Sequence, residues 1–295
     1  MEALGAASGT DRRELSSGVD AYLGELSEAG LVGATASSAP QRVAAPDVER
    51  MAVSRVHAVI DDGVVFGSDD PAVLAAIDDL LGPLASERPA TVRFAVDPEP
   101  GGSVALIGPG VERRYGSLPD LLEELPTTLN GIAAASETCL TLHAGAVVAP
   151  AGEVVVLPAV SGSGKTTLTA SLVQAGWGYL TDEAIGIRAG TLEAVGYPKP
   201  LVLDTSSRCA LGLAPSGSAN LAVDQLRPGA AVTGPVPAVA RVVLARYQAG
   251  AAASTTQLSP GEAFLAVAEH ALNLRVVGQA GQLLGWVMSP VGRPR

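Results

Sequence analysis

Val154-Val-Val-Leu-Pro-Ala159-Val-Ser-Gly-Ser-Gly-Lys165-Thr166-Thr167-Leu-Thr-Ala-Ser-Leu-Val-Gln-Ala-Gly176 is the stretch that decides the fold. Val154 to Leu157 holds no polar residue, as expected of a strand buried on both faces. Lys165 to about Ala175 reads as a helix, and Gly176 as its terminator. Between them Ala159 to Thr166 matches the P-loop pattern, with alanine where glycine is more usual at the first position. Glycines let successive backbone N–H groups converge on a phosphate, and the helix N-terminus adds partial positive charge. Ser161, Gly162, Ser163, Gly164, Lys165, Thr166 and Thr167 are therefore the candidate phosphate contacts. Lys165 would reach the β- and γ-phosphates of a nucleoside triphosphate such as ATP, and the Thr166 hydroxyl would ligate Mg²⁺.

Outward from the loop, Leu140 to Val148 is a strand preceding a turn at Gly152. His143 lies on it, and a histidine on an apolar strand is ordinarily a core residue. Tyr179 and Leu180 begin the strand after the loop helix, which ends at Asp182-Glu183. In a doubly wound sheet ligands collect at carboxyl ends of strands, which would turn both acids toward the phosphates. One would hold Mg²⁺ with Thr166, and one would accept a proton from an attacking hydroxyl. Lys199 sits between Pro198 and Pro200, which hold it in extended backbone; it is a candidate nucleotide contact as well as an ordinary loop lysine. Arg208, Arg241 and Arg246 could each supply charge, and nothing local selects one.

Ala184 to Arg188 and Leu192 to Tyr197 alternate like a β-meander. Val239 to Ala245 reads as a buried strand, and two apolar-striped helices, near Glu262 to Leu274 and Gln279 to Met288, close the chain. Ala210 to Pro237, rich in Gly, Ala and Pro, is the candidate mobile segment. Toward the N-terminus, short strands are expected at 52–60, 64–67, 91–96 and 104–107. Asp70-Pro71 opens a helix to about Leu81. Ser117 opens another, which Pro126 interrupts, with a further helical stretch to Ser136. The expected organisation is a helical segment over 1–33, a linker over 34–50, an α+β region over 51–136 and the P-loop domain over 137–290.

Composition sets limits. Of 295 residues 47% are hydrophobic but only 3% aromatic, so Ala, Val and Leu must fill the core. A formal charge of −11 argues against nucleic acid or anionic membranes as partners. Cys139 and Cys209 form no metal-ligand spacing and read as reduced, buried thiols. No apolar run is long enough to cross a bilayer, and the first residues lack a signal-peptide pattern, which together point to the cytoplasm.

Together these residues resemble the catalytic domain of HPr kinase/phosphorylase and its looser bacterial relatives, in the P-loop group that also holds ATP-type phosphoenolpyruvate carboxykinases. The likeness runs from Leu142 to Ile187: Leu-His-Ala-Gly-Ala-Val, then the loop, then Gly-Trp-Gly-Tyr-Leu-Thr-Asp-Glu. It implies an α/β fold with a mixed sheet around a P-loop, preceded here by a smaller α+β region. It also implies Asp182 as general base, His143 in contact with the phosphate region, and Pro198-Lys199-Pro200 as the Pro-basic-Pro element of the looser relatives. The glycine- and arginine-containing signature that couples phosphorylation to dephosphorylation is missing, and the second acid is Glu183. A bifunctional HPr regulator is therefore not expected. The likeness is closer to kinase-related proteins found near peptide-modification genes, some of which phosphorylate Ser or Thr of a precursor peptide. Val19 to Val32 resembles the last helix of the small peptide-chaperone domain of such pathways.

The expectation is an ATP- and Mg²⁺-dependent kinase acting on a peptide or protein hydroxyl. A kinase of a small molecule such as free serine, and a nucleotide-gated binding protein without transfer, are the alternatives. The acceptor and the oligomeric state stay open, a homo-oligomer included.

Overall fold

In the computed structural model, residues 51–273 are described except 161, 189, 216–219, 234–235, 247–249, 251 and 253. The helical segment and linker expected before residue 51, Ser161, and the helix expected at 279–288 lie outside the described residues.

The chain is α/β with mixed sheets. The first sheet joins β1 (Ala52–Val53), β2 (His57–Val59), β3 (Asp62–Ser68), β4 (Val92–Pro98), β5 (Val104–Gly108) and β6 (Val111–Tyr115). Its order is β1-β3-β4-β5-β6, with β2 also on β3; only β3 and β4 run parallel. Helix α1 (Pro71–Leu80) makes that crossover. Asp70 caps it by accepting from the Ala72 N–H at 2.8 Å, and Pro71 occupies the first turn, as expected. The strand expected over 52–60 is instead two short pieces. β6 had no sequence signal: its Glu-Arg-Arg centre is exposed on a sheet edge, where apolar alternation is not required.

Helix α2 (Leu118–Ala134) is uninterrupted, contrary to the expectation of a break at Pro126. Proline removes the N–H that would bond to the Leu122 carbonyl. The Asn220 side-chain amide donates to that carbonyl at 2.9 Å, so the freed acceptor is satisfied from outside the helix. Leu121, Leu125 and Leu129 recur every fourth residue and are fully buried. They join a core shared by β2–β5, α1 and, from the second sheet, Cys139 and Ala184.

The second sheet is built on β7 (Cys139–Val148), which hairpins at Gly152 (φ +90°) into β8 (Val154–Pro158). Every residue of β8 is buried, as its composition required. Helix α3 (Lys165–Gln174) follows, and Gly176 (φ +100°) ends it. β9 (Gly178–Thr181) and β10 (Ala184–Arg188) then run in succession along the other flank of β7, antiparallel to it. The acids at 182 and 183 thus sit in a break within one long antiparallel run, not at the end of a parallel strand. β11 (Ala194–Val195) adds to β10. Helix α4 (Thr205–Ala210) lies between the paired strands β12 (Leu201–Val202) and β13 (Asn220–Leu221), and α5 (Val223–Leu226) follows.

β14 (Val239–Val242) pairs parallel to β8 at the sheet edge, shorter and less buried than expected, with Val243 and Leu244 exposed. Helix α6 (Pro260–Ala268) starts at a Ser259/Glu262 capping box and ends six residues before the expected terminus. The segment expected to be mobile is tied down where it is described: the Tyr179 N–H donates to the Ala230 carbonyl at 2.7 Å, and the Val232 N–H to the Tyr179 carbonyl at 2.9 Å. Cys139 is buried as expected, but Cys209 is exposed.

Gly145 on β7 sets how closely α3 lies on the sheet. A Cβ there would stand 2.5 Å from Thr169 Oγ1, a contact no side chain tolerates without movement. Gly145→Ala should therefore push α3 outward and destabilise the fold by about 1–3 kcal/mol, as overpacking does. An unchanged melting temperature would show that α3 shifts freely.

Candidate active site

The loop from Ala159 connects β8 to α3. Gly162 (φ +78°) and Gly164 (φ +88°) hold left-handed backbone that favours glycine, and Gly164 is the N-cap residue of α3. Ala159 has no positive φ, since Ile60 and Leu192 are the only non-glycine residues with one among those described. Alanine in place of the first glycine is therefore unstrained. Ser163 Oγ is buried without a hydrogen-bond partner. An unpaired buried hydroxyl costs free energy unless a ligand satisfies it.

The loop borders a cavity of about 900 Å³, within the size range of small-molecule sites. His143, Lys165, Thr167, Glu183 and Ser207 are among its lining residues. The Thr167 hydroxyl donates to Ser207 Oγ at 2.9 Å, fastening α3 to α4. Thr166 also lines the cavity.

Lys165 Nζ lies 2.6 Å from His143 Nε2 and 3.4 Å from the Ala159 carbonyl. His143 Nδ1 is 3.2 Å from Glu183 Oε1. With Lys165 donating as an ammonium, Nε2 must be the acceptor, so the ring proton sits on Nδ1. Burial, then the Lys165 charge, lowers the His143 pKa; Glu183 opposes them. Lys165 is itself lowered by burial, with Glu183 and then Asp182 opposing.

The two acids have separate environments. Asp182 is 1% exposed, its Oδ1 accepting from Lys199 Nζ at 2.7 Å and the Tyr179 hydroxyl at 2.9 Å. Lys199 is equally buried and donates also to the Pro200 carbonyl at 3.2 Å. Neither residue lines the cavity. Lys199, the candidate nucleotide contact, is thus the buried counter-ion of Asp182, the candidate general base and metal ligand. Burial, with Asp182 next, pushes the hydroxyl pKa values of Tyr179 and Tyr197 well up, so both stay protonated.

No family model matches the chain, and no curated protein sequence matches it.

Of the three arginines considered, Arg246 lines the cavity. It follows β14, whose carboxyl end lies beside that of β8 because the strands are parallel. Arg241 pairs instead with Glu153 at 3.5 Å on the surface, and Arg208 is buried in α4. Asp204, Ser206 and Ser207, which no motif flagged, complete the α4 side. They lie about 40 residues beyond the loop, and only the turn of α4 brings them back to it.

Among the described residues no group of three His, Cys, Asp or Glu side chains is placed to hold a metal. Mg²⁺ does not need one. It commonly takes one or two protein oxygens, substrate phosphates and waters, and the Thr166 hydroxyl on this cavity fits that pattern.

All three histidines of the chain have lowered pKa values, chiefly through burial; Asp78, at 3.1 Å from His57 Nε2, opposes the shift there, and Glu269 does so at His270. The folded state therefore holds fewer protons on them than the unfolded state, whose histidines titrate near pH 6.5. Stability should be full above about pH 6.5 and fall as pH drops toward the lower folded-state values. Urea midpoints between pH 8 and 5.5 would read this. A midpoint that rises on acidification over that range would reverse the sign.

Proposed function

We propose that the chain binds ATP or another nucleoside triphosphate with Mg²⁺ in this cavity and transfers the terminal phosphate to a hydroxyl. The fold reading that goes with this is a P-loop core over 137–290, of the HPr kinase and phosphoenolpyruvate carboxykinase type. The observation that carries the reading is the convergence of Lys165, the glycine loop and the Glu183–His143 pair on one cavity.

Each residue has a task. The loop N–H groups and the α3 N-terminus cradle the phosphates. Lys165 leaves its resting contact on His143 and donates to the β- and γ-phosphates. Thr166 would hold Mg²⁺, which neutralises charge on the phosphate oxygens. Glu183, its carboxylate 3.2 Å from His143 Nδ1, accepts the proton of the attacking hydroxyl; it takes that role in place of Asp182, which is buried in its pair with Lys199. Arg246 contributes a second positive charge at the cavity. Positioning and charge neutralisation supply most of what phosphoryl transfer needs.

The acceptor proposed is Ser or Thr of a peptide or protein. Val160 and Val202 line the cavity while 65% and 46% exposed, giving an acceptor side chain apolar surface beyond the phosphates. Incubation with γ-labelled ATP, Mg²⁺, a set of Ser- and Thr-containing peptides and free serine tests this. Label on peptide is expected. Label on free serine alone would make it a small-molecule kinase, and tight nucleotide binding without transfer would make it a nucleotide-gated binding protein.

A further inference from the structure

The geometry points to Asp182 and Lys199 as a buried positioning pair that aims Glu183 into the cavity. This rests on the proposed role of Glu183, and concerns two residues that touch neither nucleotide nor acceptor.

β9 pairs with β7 up to Thr181 opposite Ala146, and β10 resumes at Ala184 opposite His143. Residues 182 and 183 span the gap, opposite Ala144 and Gly145. They form a bend, and their side chains diverge: Glu183 lines the cavity and Asp182 does not. Asp182 is the one turned away, and it is anchored. Its Oδ1 takes hydrogen bonds from Lys199 Nζ at 2.7 Å and Tyr179 at 2.9 Å, the Tyr179 hydroxyl also lying 3.0 Å from the Lys199 carbonyl. The Pro198-Lys-Pro200 backbone is fixed in turn by the Lys199 N–H donating to the Tyr197 carbonyl at 2.7 Å. Glu183 is held on the opposite side by its own backbone: its carbonyl accepts from the Ala144 N–H at 3.0 Å, and its N–H donates to Thr181 Oγ1 at 3.3 Å. From that fixed backbone its carboxylate meets His143 Nδ1.

A buried ion pair is weak evidence of stability, because desolvation offsets attraction and an apolar pair of similar size often substitutes well. Its value here is direction. The anchor keeps Asp182 from rotating outward and Glu183 from rotating inward.

The test uses the full chain as Lys199→Met and as the double variant Asp182→Leu/Lys199→Met, the second chosen because it leaves no lone buried charge. Two readouts are taken on folded protein. The ¹⁵N and proton shifts of His143 Nδ1 report the nearness of the Glu183 carboxylate, 3.2 Å away, whether or not phosphate is transferred. Transfer rate and nucleotide affinity are measured alongside, also in a Glu183→Gln background. The double variant should fold, move the His143 signal away from its native position, and lose about 100-fold in kcat, typical of a 1 Å misplacement, with nucleotide affinity kept. In the Glu183→Gln background the same change should give no further loss, since its effect runs through Glu183. A folded double variant with the wild-type His143 signal would overturn the pairing role. Additive losses in transfer would overturn it equally. A wild-type chain without transfer activity would instead refute the kinase reading, and the His143 signal would still decide this one.

Discussion

Glu183→Gln is expected to lower phosphate transfer by about 10²- to 10⁴-fold, the usual loss on removing a positioned general base. Glutamine keeps the length of the side chain and an oxygen for the His143 Nδ1–H, 3.2 Å away in the native protein. Only the capacity to take a proton is lost, so nucleotide affinity should stay near the native value. Single-turnover transfer measured beside equilibrium nucleotide binding separates the two. Asp182→Asn should act through another route. It leaves Lys199 charged and 1% exposed without its carboxylate, and breaking a buried pair this way costs about 3–5 kcal/mol. Its main effect should be a lower denaturation midpoint. If Asp182→Asn were stable and inactive while Glu183→Gln kept full transfer, the roles of the two acids would have to be exchanged.

Lys165→Met has the second large expected effect. Hydrogen bonds to charged groups contribute about 1.5–3 kcal/mol each. Losing those from Lys165 Nζ to the phosphates should weaken ATP binding by roughly 10- to 150-fold. The fold should tolerate the change. Lys165 is 7% exposed and its desolvation already lowers its pKa, so an unbranched apolar side chain suits the site. Thermal unfolding should thus move little while binding falls. Unchanged ATP affinity in Lys165→Met would remove Lys165 from the phosphate site.

The parts legible in the sequence were those fixed by local backbone demands. Val154 to Leu157 could only be a buried strand, and Gly162 and Gly164 hold the positive φ values that a P-loop pattern needs. Asp70-Pro71 and Ser117 marked two helix starts for the same reason. What the sequence hid depends on partners far along the chain. Pro126 is housed within α2 because Asn220, 94 residues later, answers the carbonyl it frees. Lys199 reads as a nucleotide contact or an ordinary loop lysine until Asp182 is found beside it.

The acidic pair is the instructive case. The two adjacent acids sit in a bend between β9 and β10, and only Glu183 lines the cavity. Which of them does depends on the register of β9 and β10 on β7 and on the Lys199 counter-ion, and neither is local. The cavity wall from α4 was hidden likewise, since Asp204 and Ser207 serve α4 as cap and first-turn residues before they serve the cavity. β6 lacked the apolar alternation that identifies a half-buried strand, because its central residues are exposed.

Titration of the full chain with ATP and Mg²⁺ by calorimetry, run in parallel on Lys165→Met, tests the phosphate site most directly. Saturable binding at one nucleotide per chain is expected, weakened by the substitution and by omitting Mg²⁺. No binding to the native protein, or equal binding by native and Lys165→Met, would contradict a nucleotide-binding loop at residues 159–166.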